Sequence, residues 1–288
     1  MGLLSRRERA PAAAPRPQLE LSGPRLQSAL ARLAAGCEPH GGMERYAEAL
    51  KLKSALFRQA LDDDPRSLEA SVFKQLCAFM STVRRRIGPW LEEPAFDEVR
   101  GALAELLAAR DDTATTDQRV AGFCARLDGA GGRRWVRDLA AEVLHNVDPE
   151  RFPLMTRWVW DAAANTGVIR ELWHAPDVDH IRIGVADGYD TFLMLREELS
   201  QYLAGQGFFR DVTWYADLVC AQVYAEYISE QGGSYLRTDF AAEEDPVQHT
   251  RRLLGLDGVQ AGSGRTRLKT IDGAAFVLTD VAAADGLD

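Results

Sequence analysis

Apolar side chains recur at three- and four-residue steps through most of this 288-residue chain, and that spacing limits the fold more than any other feature. Leu26, Leu30 and Leu33 begin the pattern, and further stripes follow as far as Tyr227. Steps of three and four place side chains on one face of an α-helix. About nine such stripes, against two or three β-prone segments, predict a mostly α protein, a multi-helix globular bundle.

Proline and glycine mark where several of these helices should begin and end. Asp64-Pro65 predicts a helix start, because aspartate caps helices and proline fits their first turn. The apolar face that follows runs to Val83, and Gly88-Pro89 stops it. In the same way, Pro153 predicts a helix over 154–164, which would contain Trp158 and Trp160.

The second half of the chain predicts three more helices and one short strand. Residues 168–185 are expected to be irregular, apart from a strand over 181–185. Asp187 is the predicted cap of a helix from Tyr189 to Gly205. The remaining helices are expected over 210–230 and from Pro246 to Gly255.

Composition divides the chain into three parts. Residues 1–20, rich in Arg, Ala and Pro, are predicted to be a disordered tail. Residues 21–260 form the predicted helical domain, with a sub-boundary near 129–132, where a Gly-Ala-Gly-Gly run interrupts the pattern. Residues 261–288 predict a β-hairpin and an acidic tail, because Asp272-Gly273 separates two β-prone segments. An isolated hairpin is marginally stable, so this one should dock on the helices or on a partner.

The net charge of −9 argues against two classes of partner. An acidic chain gains no general attraction to nucleic acid or anionic lipid, so nucleic acid is an unfavoured partner and no membrane association is expected. The sequence contains no signal-peptide core and no apolar run long enough to cross a bilayer. We therefore expect a cytoplasmic protein.

Motifs for common catalytic and cofactor sites are absent from the sequence. It has no glycine-rich phosphate loop of the GxxxxGK[ST] or GxGxxG type and no GxSxG nucleophile elbow. The four cysteines stand at least 40 residues apart, whereas zinc and iron–sulfur sites normally use close pairs. We expect the cysteines to be buried free thiols, and we expect no cofactor. The sequence favours a protein that is not an enzyme without deciding the question.

One predicted loop contains four potential metal ligands close together in the sequence. His174, Asp177, Asp179 and His180 fall within seven residues, and imidazoles and carboxylates are ligands for zinc, iron or manganese. The alternative is a solvated polar loop, because loops of this composition are polar without binding anything. A metal- or cofactor-binding enzyme that uses residues 174–180 is therefore one alternative function.

Two basic clusters could bind an anion or an acidic partner. Arg84, Arg85 and Arg86 follow an apolar helical face, and Arg133-Arg134 follows the glycine run. Cations at a helix C-terminus also offset its dipole without any ligand, so the first cluster has a purely structural interpretation as well.

Aromatic side chains are densest between 152 and 240, and they suggest an interface. Residues 221–240 interleave aromatic and polar side chains more than a core helix requires, and tyrosine and tryptophan are enriched at interfaces. The helix 210–230 has two apolar-aromatic faces, so it must be fully buried or shared with another chain. The predicted interface residues are Trp214, Tyr224, Tyr227, Tyr235 and Arg237.

A ten-residue segment resembles a turn of known enzymes. Residues 144–153, Leu-His-Asn-Val-Asp-Pro-Glu-Arg-Phe-Pro, are similar to a turn in helix-hairpin-helix DNA glycosylases, where it joins two helices of an all-α fold. That family also uses a glycine-rich hairpin followed by a Lys or Asp, and this chain has no such hairpin. A glycosylase-like nucleic-acid protein is the second alternative function.

A longer stretch resembles uncharacterised accessory proteins that accompany heterodisulfide-reductase-like complexes of sulfur-oxidising bacteria. The resemblance rests on residues 151–161, residues 195–200 and the Ala-Gln-Val-Tyr-Ala-Glu-Tyr block at 221–227. It implies a non-enzymatic accessory or interaction protein of a cytoplasmic complex, in redox or sulfur metabolism. A protein partner is expected, and a homo-oligomer is compatible with the same surface.

Overall fold

The computed structural model describes residues 19–128, 133–175, 180–233 and 247–257, together with the backbone of 267–269 and 275–277. Ten α-helices lie in these ranges: α1 Gly23–Cys37, α2 Gly42–Leu61, α3 Ala70–Ala78, α4 Ala95–Leu107, α5 Thr116–Asp128, α6 Arg134–Val147, α7 Val168–Leu172, α8 Tyr189–Gly205, α9 Val212–Gly233 and α10 Gln248–Leu253. Two short strands, β1 Arg267–Lys269 and β2 Ala275–Val277, pair antiparallel. The prediction of a mostly helical protein is confirmed.

The core is continuous from Leu26 in α1 to Leu256 beyond α10. α6 lies at its centre, in contact with α2, α4 and α5, and every residue from Trp135 to Val147 except Arg137 is buried. A helix buried on nearly all sides normally carries apolar side chains, yet four of the buried side chains of α6 are polar. They are Asp138, Glu142, His145 and Asn146.

A buried ion pair joins α6 to α2. Lys53 Nζ donates to Glu142 Oε2 at 2.8 Å and to the carbonyl oxygen of Leu254 at 3.1 Å, so it also reaches the end of α10. Asn146 Nδ2 donates to the same carboxylate at 3.1 Å, and Ser54 Oγ donates to the Asn146 carbonyl at 2.8 Å. Buried charges are tolerated only when they are paired and hydrogen-bonded, and this cluster meets both conditions.

The predicted helix over 154–164 is wrong. Residues 153–156 have no regular secondary structure, and turns at 157–159 and 162–165 accompany one isolated bridge between Asp161 and Thr166. The Asp161 carboxylate accepts the backbone N–H of Ala164, and Trp160 Nε1 donates to the Val185 carbonyl at 3.0 Å. One local side-chain bond and one bond to a residue 25 positions away thus stand where helical bonds were predicted. A short helix, α7, follows in a region predicted to be irregular.

The helix predicted from Asp64 is also shorter than expected. Pro65–Ser67 forms one 3-10 turn, and α3 then ends at Ala78. Phe79, Met80 and Val83 continue the apolar run as buried turns, because Met80 N donates to Cys77 O and Val83 N donates to Met80 O. The apolar pattern from Phe79 to Val83 therefore reflects burial in turns and not a continuation of the helix.

Two predictions near residue 185 are corrected as well. No strand forms over 181–185, because the Asn165 side chain takes the place of a strand partner: it donates to Ile181 O at 3.1 Å and accepts from Ile183 N at 3.0 Å. Asp187 does not cap α8. The first N–H of that helix, on Tyr189, donates to Asp117 in α5 at 2.9 Å.

The predicted domain limits are only partly covered by the described residues. The sub-boundary at 129–132 lies outside them, although α5 and α6 on either side of it pack together. The disordered tail (1–20) is described only at Leu19 and Glu20. For the C-terminal hairpin, the connecting residues and the tail lie outside the described ranges, so the hairpin and its docking stay predictions. In the described part of the chain, no helix combines the length and apolarity that crossing a bilayer requires.

Candidate functional site

The side chains of α9 change from core to surface along the helix. Its residues from Trp214 to Val223 are buried, and the helix contacts α1, α2, α7, α8 and α10. From Tyr224 to Glu230 most side chains are half-buried or exposed. One half of the helix therefore anchors it in the core, and the other half presents aromatic and polar groups at the surface.

Aromatic rings meet where α9 reaches the surface. The ring of Tyr224 lies 6.0 Å from that of Trp158 and 5.7 Å from that of Tyr227, measured between centroids, with interplanar angles of 35° and 33°. Trp158 is buried, and its Nε1 has no hydrogen-bond partner. Burial raises the pKa of Tyr224, so its phenol is neutral at physiological pH.

A groove of about 330 Å³ runs beside these rings, between α1, α7 and α9. We call it the aromatic groove. Its apolar wall comprises Pro24, Ala29, Leu172, Val223 and Tyr227, and its polar wall comprises Arg25, Ser28, Arg32, Glu171, Glu226 and Glu230. The lining thus combines apolar side chains and one aromatic ring, that of Tyr227, with charged residues of both signs, which we call the rim.

The charged side chains of the rim are bonded to one another and to buried residues. Arg25 Nη1 donates to the Glu171 carbonyl, and Arg32 lies 3.3 Å from Glu226 across the groove. Glu226 accepts from Gln222 Nε2 at 2.9 Å, and Gln222 in turn accepts from Thr250 Oγ1 at 2.8 Å. Because Gln222 and Thr250 are buried, the rim carboxylate is tied to the core.

The predicted interface residues separate into three groups. Tyr227 lines the groove, and Tyr224, whose ring lies 5.7 Å from that of Tyr227, is outside the lining; both are half-buried. Trp214 is buried and packs edge-on against His145, with ring centroids 5.9 Å apart, so the structure places it inside the monomer. Tyr235 and Arg237 lie outside the described residues.

His145 itself is a buried structural histidine. Its Nδ1 donates to the Phe152 carbonyl at 2.9 Å, and its Nε2 lies 2.9 Å from Asp217 Oδ2, although that oxygen accepts no aligned hydrogen bond. Burial alone lowers the pKa of His145, but the Asp217 carboxylate, the Phe152 carbonyl and Glu142 together raise it above the ordinary value. The ion pair therefore joins α6 to α9.

The predicted metal loop is not assembled by the described residues. His174 and His180 are exposed, and Asp177 and Asp179 lie outside the described ranges. Among the residues that the structure does describe, no group of three or more His, Cys, Asp or Glu could hold a metal ion. Three of the four free cysteines are buried, and Cys124 is half-buried.

The first basic cluster is divided by the fold. Arg84 is buried, and its two Nη atoms donate to the two carboxylate oxygens of Asp257 at 2.8 and 2.7 Å. Burial raises the pKa of Asp257, but the hydrogen bond and charge of Arg84 outweigh it and lower the pKa. Arg85 and Arg86 are exposed. Arg84 thus serves an internal ion pair, and an anion site of all three arginines does not form.

The glycosylase-like turn makes a local structural motif. Asp148 O and Oδ1 both accept the backbone N–H of Arg151 at 3.2 Å, and Phe152 N donates to Asp148 O at 2.9 Å. No helix follows Pro153 directly. The turn packs Phe152 into the core, where its carbonyl meets His145.

Sequence reasoning missed the polar residues that the fold brings together from distant segments. Arg25 and Arg32 reach α9 from nearly 200 residues away. One signal for such contacts was present in the sequence. Charged residues occupy apolar positions of α6, and a buried charge requires a partner from elsewhere in the chain.

Comparisons with known proteins found no similar protein. No protein-family model, curated protein or solved structure matches the chain.

Proposed function

We propose that this protein is a non-enzymatic accessory protein that binds a protein partner through the aromatic groove. The observation that carries the proposal is the pair of tilted rings of Tyr224 and Tyr227, half-buried at the point where α9 leaves the core, beside a concave surface with a charged rim. Protein interfaces commonly combine a desolvated aromatic centre with a polar rim.

The charges of the groove favour a protein over a polyanion. Three glutamates on the rim, Glu171, Glu226 and Glu230, face two arginines. Nucleic acid or an anionic lipid surface would be repelled by that excess of carboxylates. A protein segment can instead offer apolar side chains to Tyr227 and charges of both signs to the rim.

The volume of the groove sets the size of the contact. A space of about 330 Å³ accepts a few side chains and not a folded domain. The partner should therefore insert a short segment with one or two apolar anchors, such as an amphipathic helix lying against α1 and α9.

The buried ionisable groups support a structural rather than a catalytic use. Lys53 pairs with Glu142, and Arg157 pairs with Asp138 at 2.8 Å, in each case between separate segments of the chain. The Lys53 and Glu142 side chains, 3% and 2% exposed, are not open to a substrate.

Several finer features belong to the same proposal. A cytoplasmic location and a role in redox or sulfur metabolism rest on the resemblance of residues 151–161, 195–200 and 221–227 to accessory proteins of sulfur-oxidising bacteria. The C-terminal hairpin would dock on the helices or on the partner. A second copy of the chain is the alternative occupant of the groove.

Site-specific photo-crosslinking tests the proposal. A photoreactive phenylalanine analogue placed at Tyr227 in the native host should form one discrete adduct with another polypeptide. The matched control is Phe209, the most exposed large apolar residue of the described chain at 79%. An adduct at 227 but not at 209 supports the groove, whereas no adduct at 227, or the same adducts at both positions, contradicts it. An adduct with twice the monomer mass identifies a second copy.

A further inference from the structure

The first described residues of the chain lie beside the aromatic groove. Ser22 N donates to the Leu172 carbonyl at 2.7 Å. Two residues further along the same contact, His174 N donates to the Glu20 carbonyl, also at 2.7 Å. Leu172 is part of the groove lining, and so is Pro24. These bonds fix the start of the described chain against the end of α7, next to the groove.

The residues that precede Leu19 carry a charge opposite to that of the rest of the chain. We call residues 1–18 the basic segment. It contains four arginines and one glutamate, so its net charge is +3. The whole chain carries −9, so the residues after the basic segment together carry −12. Opposite charges of this size attract the basic segment to the surface of the helical part.

The groove offers a carboxylate that this segment can reach. Its lining contains three glutamates and two arginines, which leaves a net charge of −1. Arg25 donates to a backbone carbonyl, and Arg32 lies 3.3 Å from Glu226. Glu230 is exposed, and it forms no ion pair with another residue that the structure describes. An arginine of the basic segment can therefore pair with Glu230 without displacing Arg32.

The basic segment also contains apolar side chains of a size that the groove accepts. Leu3 and Leu4 stand just before Arg6-Arg7. The apolar wall of the groove includes Leu172 and Val223, and its volume of about 330 Å³ holds a few side chains. Two leucines followed by arginines thus match an apolar wall bordered by carboxylates.

The length of chain between these leucines and the described residues is sufficient. Leu4 and Leu19 are 15 residues apart. A chain of that length spans up to about 50 Å when fully extended. Pro24, which lines the groove, is five residues from Leu19, so the nearest part of the groove lies within about 18 Å. A covalent connection of this kind gives an effective concentration on the order of millimolar, so even weak contacts suffice to fill the groove.

We propose that the basic segment occupies the aromatic groove of its own chain and excludes the partner from it. This autoinhibitory contact rests on the function proposed above. Leu3 and Leu4 pack on the apolar wall, and Arg6 pairs with Glu230. The other neighbouring segment, residues 234–246, carries a net charge of −3 and is repelled by the same glutamates.

Photo-crosslinking of the purified full-length protein tests the contact in the absence of a partner. A photoreactive phenylalanine analogue at Tyr227 should form an intramolecular adduct at monomer mass, and peptide mapping should place it within residues 1–18. The triple variant Arg6→Glu/Arg7→Glu/Arg9→Glu changes the net charge of the basic segment from +3 to −3. It should lower the yield of this adduct at least about fivefold.

The matched control reverses exposed arginines elsewhere on the surface. Arg85→Glu/Arg86→Glu should leave the yield within about twofold of the unmodified protein. The proposal is overturned by the absence of an adduct within residues 1–18, by an adduct at dimer mass instead, or by equal yields from the triple variant and the unmodified protein.

The same variant in the native host distinguishes this proposal from the proposed function. With the basic segment repelled, the adduct between position 227 and the partner should increase at least about threefold, because the competing segment no longer fills the groove. A partner adduct that does not increase overturns autoinhibition and leaves the proposed function standing. No partner adduct even from the triple variant overturns the proposed function, and autoinhibition with it.

Discussion

Removing the ammonium group of Lys53 should destabilise the protein far more than removing an exposed lysine from the same helix. Lys53 and Glu142 are 3% and 2% exposed and 2.8 Å apart. The variant Lys53→Met keeps the length of the side chain but leaves the Glu142 carboxylate with one hydrogen bond, from Asn146, in the core. Breaking a buried pair on one side costs about 3–5 kcal/mol of unfolding free energy.

The matched control lies two residues away. Lys51 pairs with Asp211 at 2.6 Å, and these side chains are 42% and 38% exposed. Lys51→Met should therefore cost at most about 1 kcal/mol, as exposed ion pairs do. Urea unfolding, monitored by circular dichroism at pH 7, measures both values.

The double variant separates the charge from the packing. Lys53→Met combined with Glu142→Leu removes both charges, so the protein should regain much of the stability lost in the single variant. A cost for Lys53→Met as small as that for Lys51→Met would refute the reasoning. Strictly additive costs in the double variant would also refute it, because the two side chains would then not be coupled.

Two further perturbations have directions fixed by the structure. The folded-state pKa of His145 is raised, so its ion pair with Asp217 contributes full stability below about pH 6.5 and loses it as pH rises through the folded value. In Asp217→Asn the burial of His145 lowers its pKa instead, and unfolding free energies measured between about pH 5.5 and 8 should show the slope reversed relative to the unmodified protein; an identical slope would contradict this assignment. Gly255→Ala should cost at least about 1–3 kcal/mol in thermal unfolding, because Gly255 has φ +73° and a Cβ there would overlap the Phe79 carbonyl oxygen. Gly205→Ala, with open space around it, should cost nothing or stabilise slightly, and equal effects would rule out the clash.

The sequence predicted those helices whose own residues carry a clear helical pattern. The helix from Tyr189 to Gly205 was predicted with both ends correct, and the stripes of α1, α2 and α9 each became a helix. In these segments the helical period and the apolar face agree, and in α8 and α9 a glycine stop agrees with both. Such agreement across levels makes a segment predictable.

The elements that were missed depend on distant partners. The region around Trp160 has helix-like spacing, yet its indole donates to the carbonyl of Val185, 25 residues further along the chain. Asn165 likewise replaces the strand partner that 181–185 would have needed. Such side-chain bonds to the backbone compete with regular structure, and no local pattern reports them.

The candidate sites show the same division. Tyr224 and Tyr227 were predicted as interface residues from the density of aromatic side chains and from the second apolar face of one helix. Both signals are visible in the sequence. The groove beside them required Arg25 and Arg32 from α1. These contacts arise only when the helices pack.

The most direct test of the central claim is the affinity of the crosslinked partner for Tyr227→Ala, measured against the unmodified protein and Phe209→Ala. If the aromatic groove is the partner site, Tyr227→Ala should weaken binding at least about thirtyfold, as loss of an interface anchor does. Its unfolding free energy should change by less than about 1 kcal/mol, because the side chain is only half-buried. Phe209→Ala should leave the affinity unchanged. Equal affinity for Tyr227→Ala and the unmodified protein would contradict the proposed function.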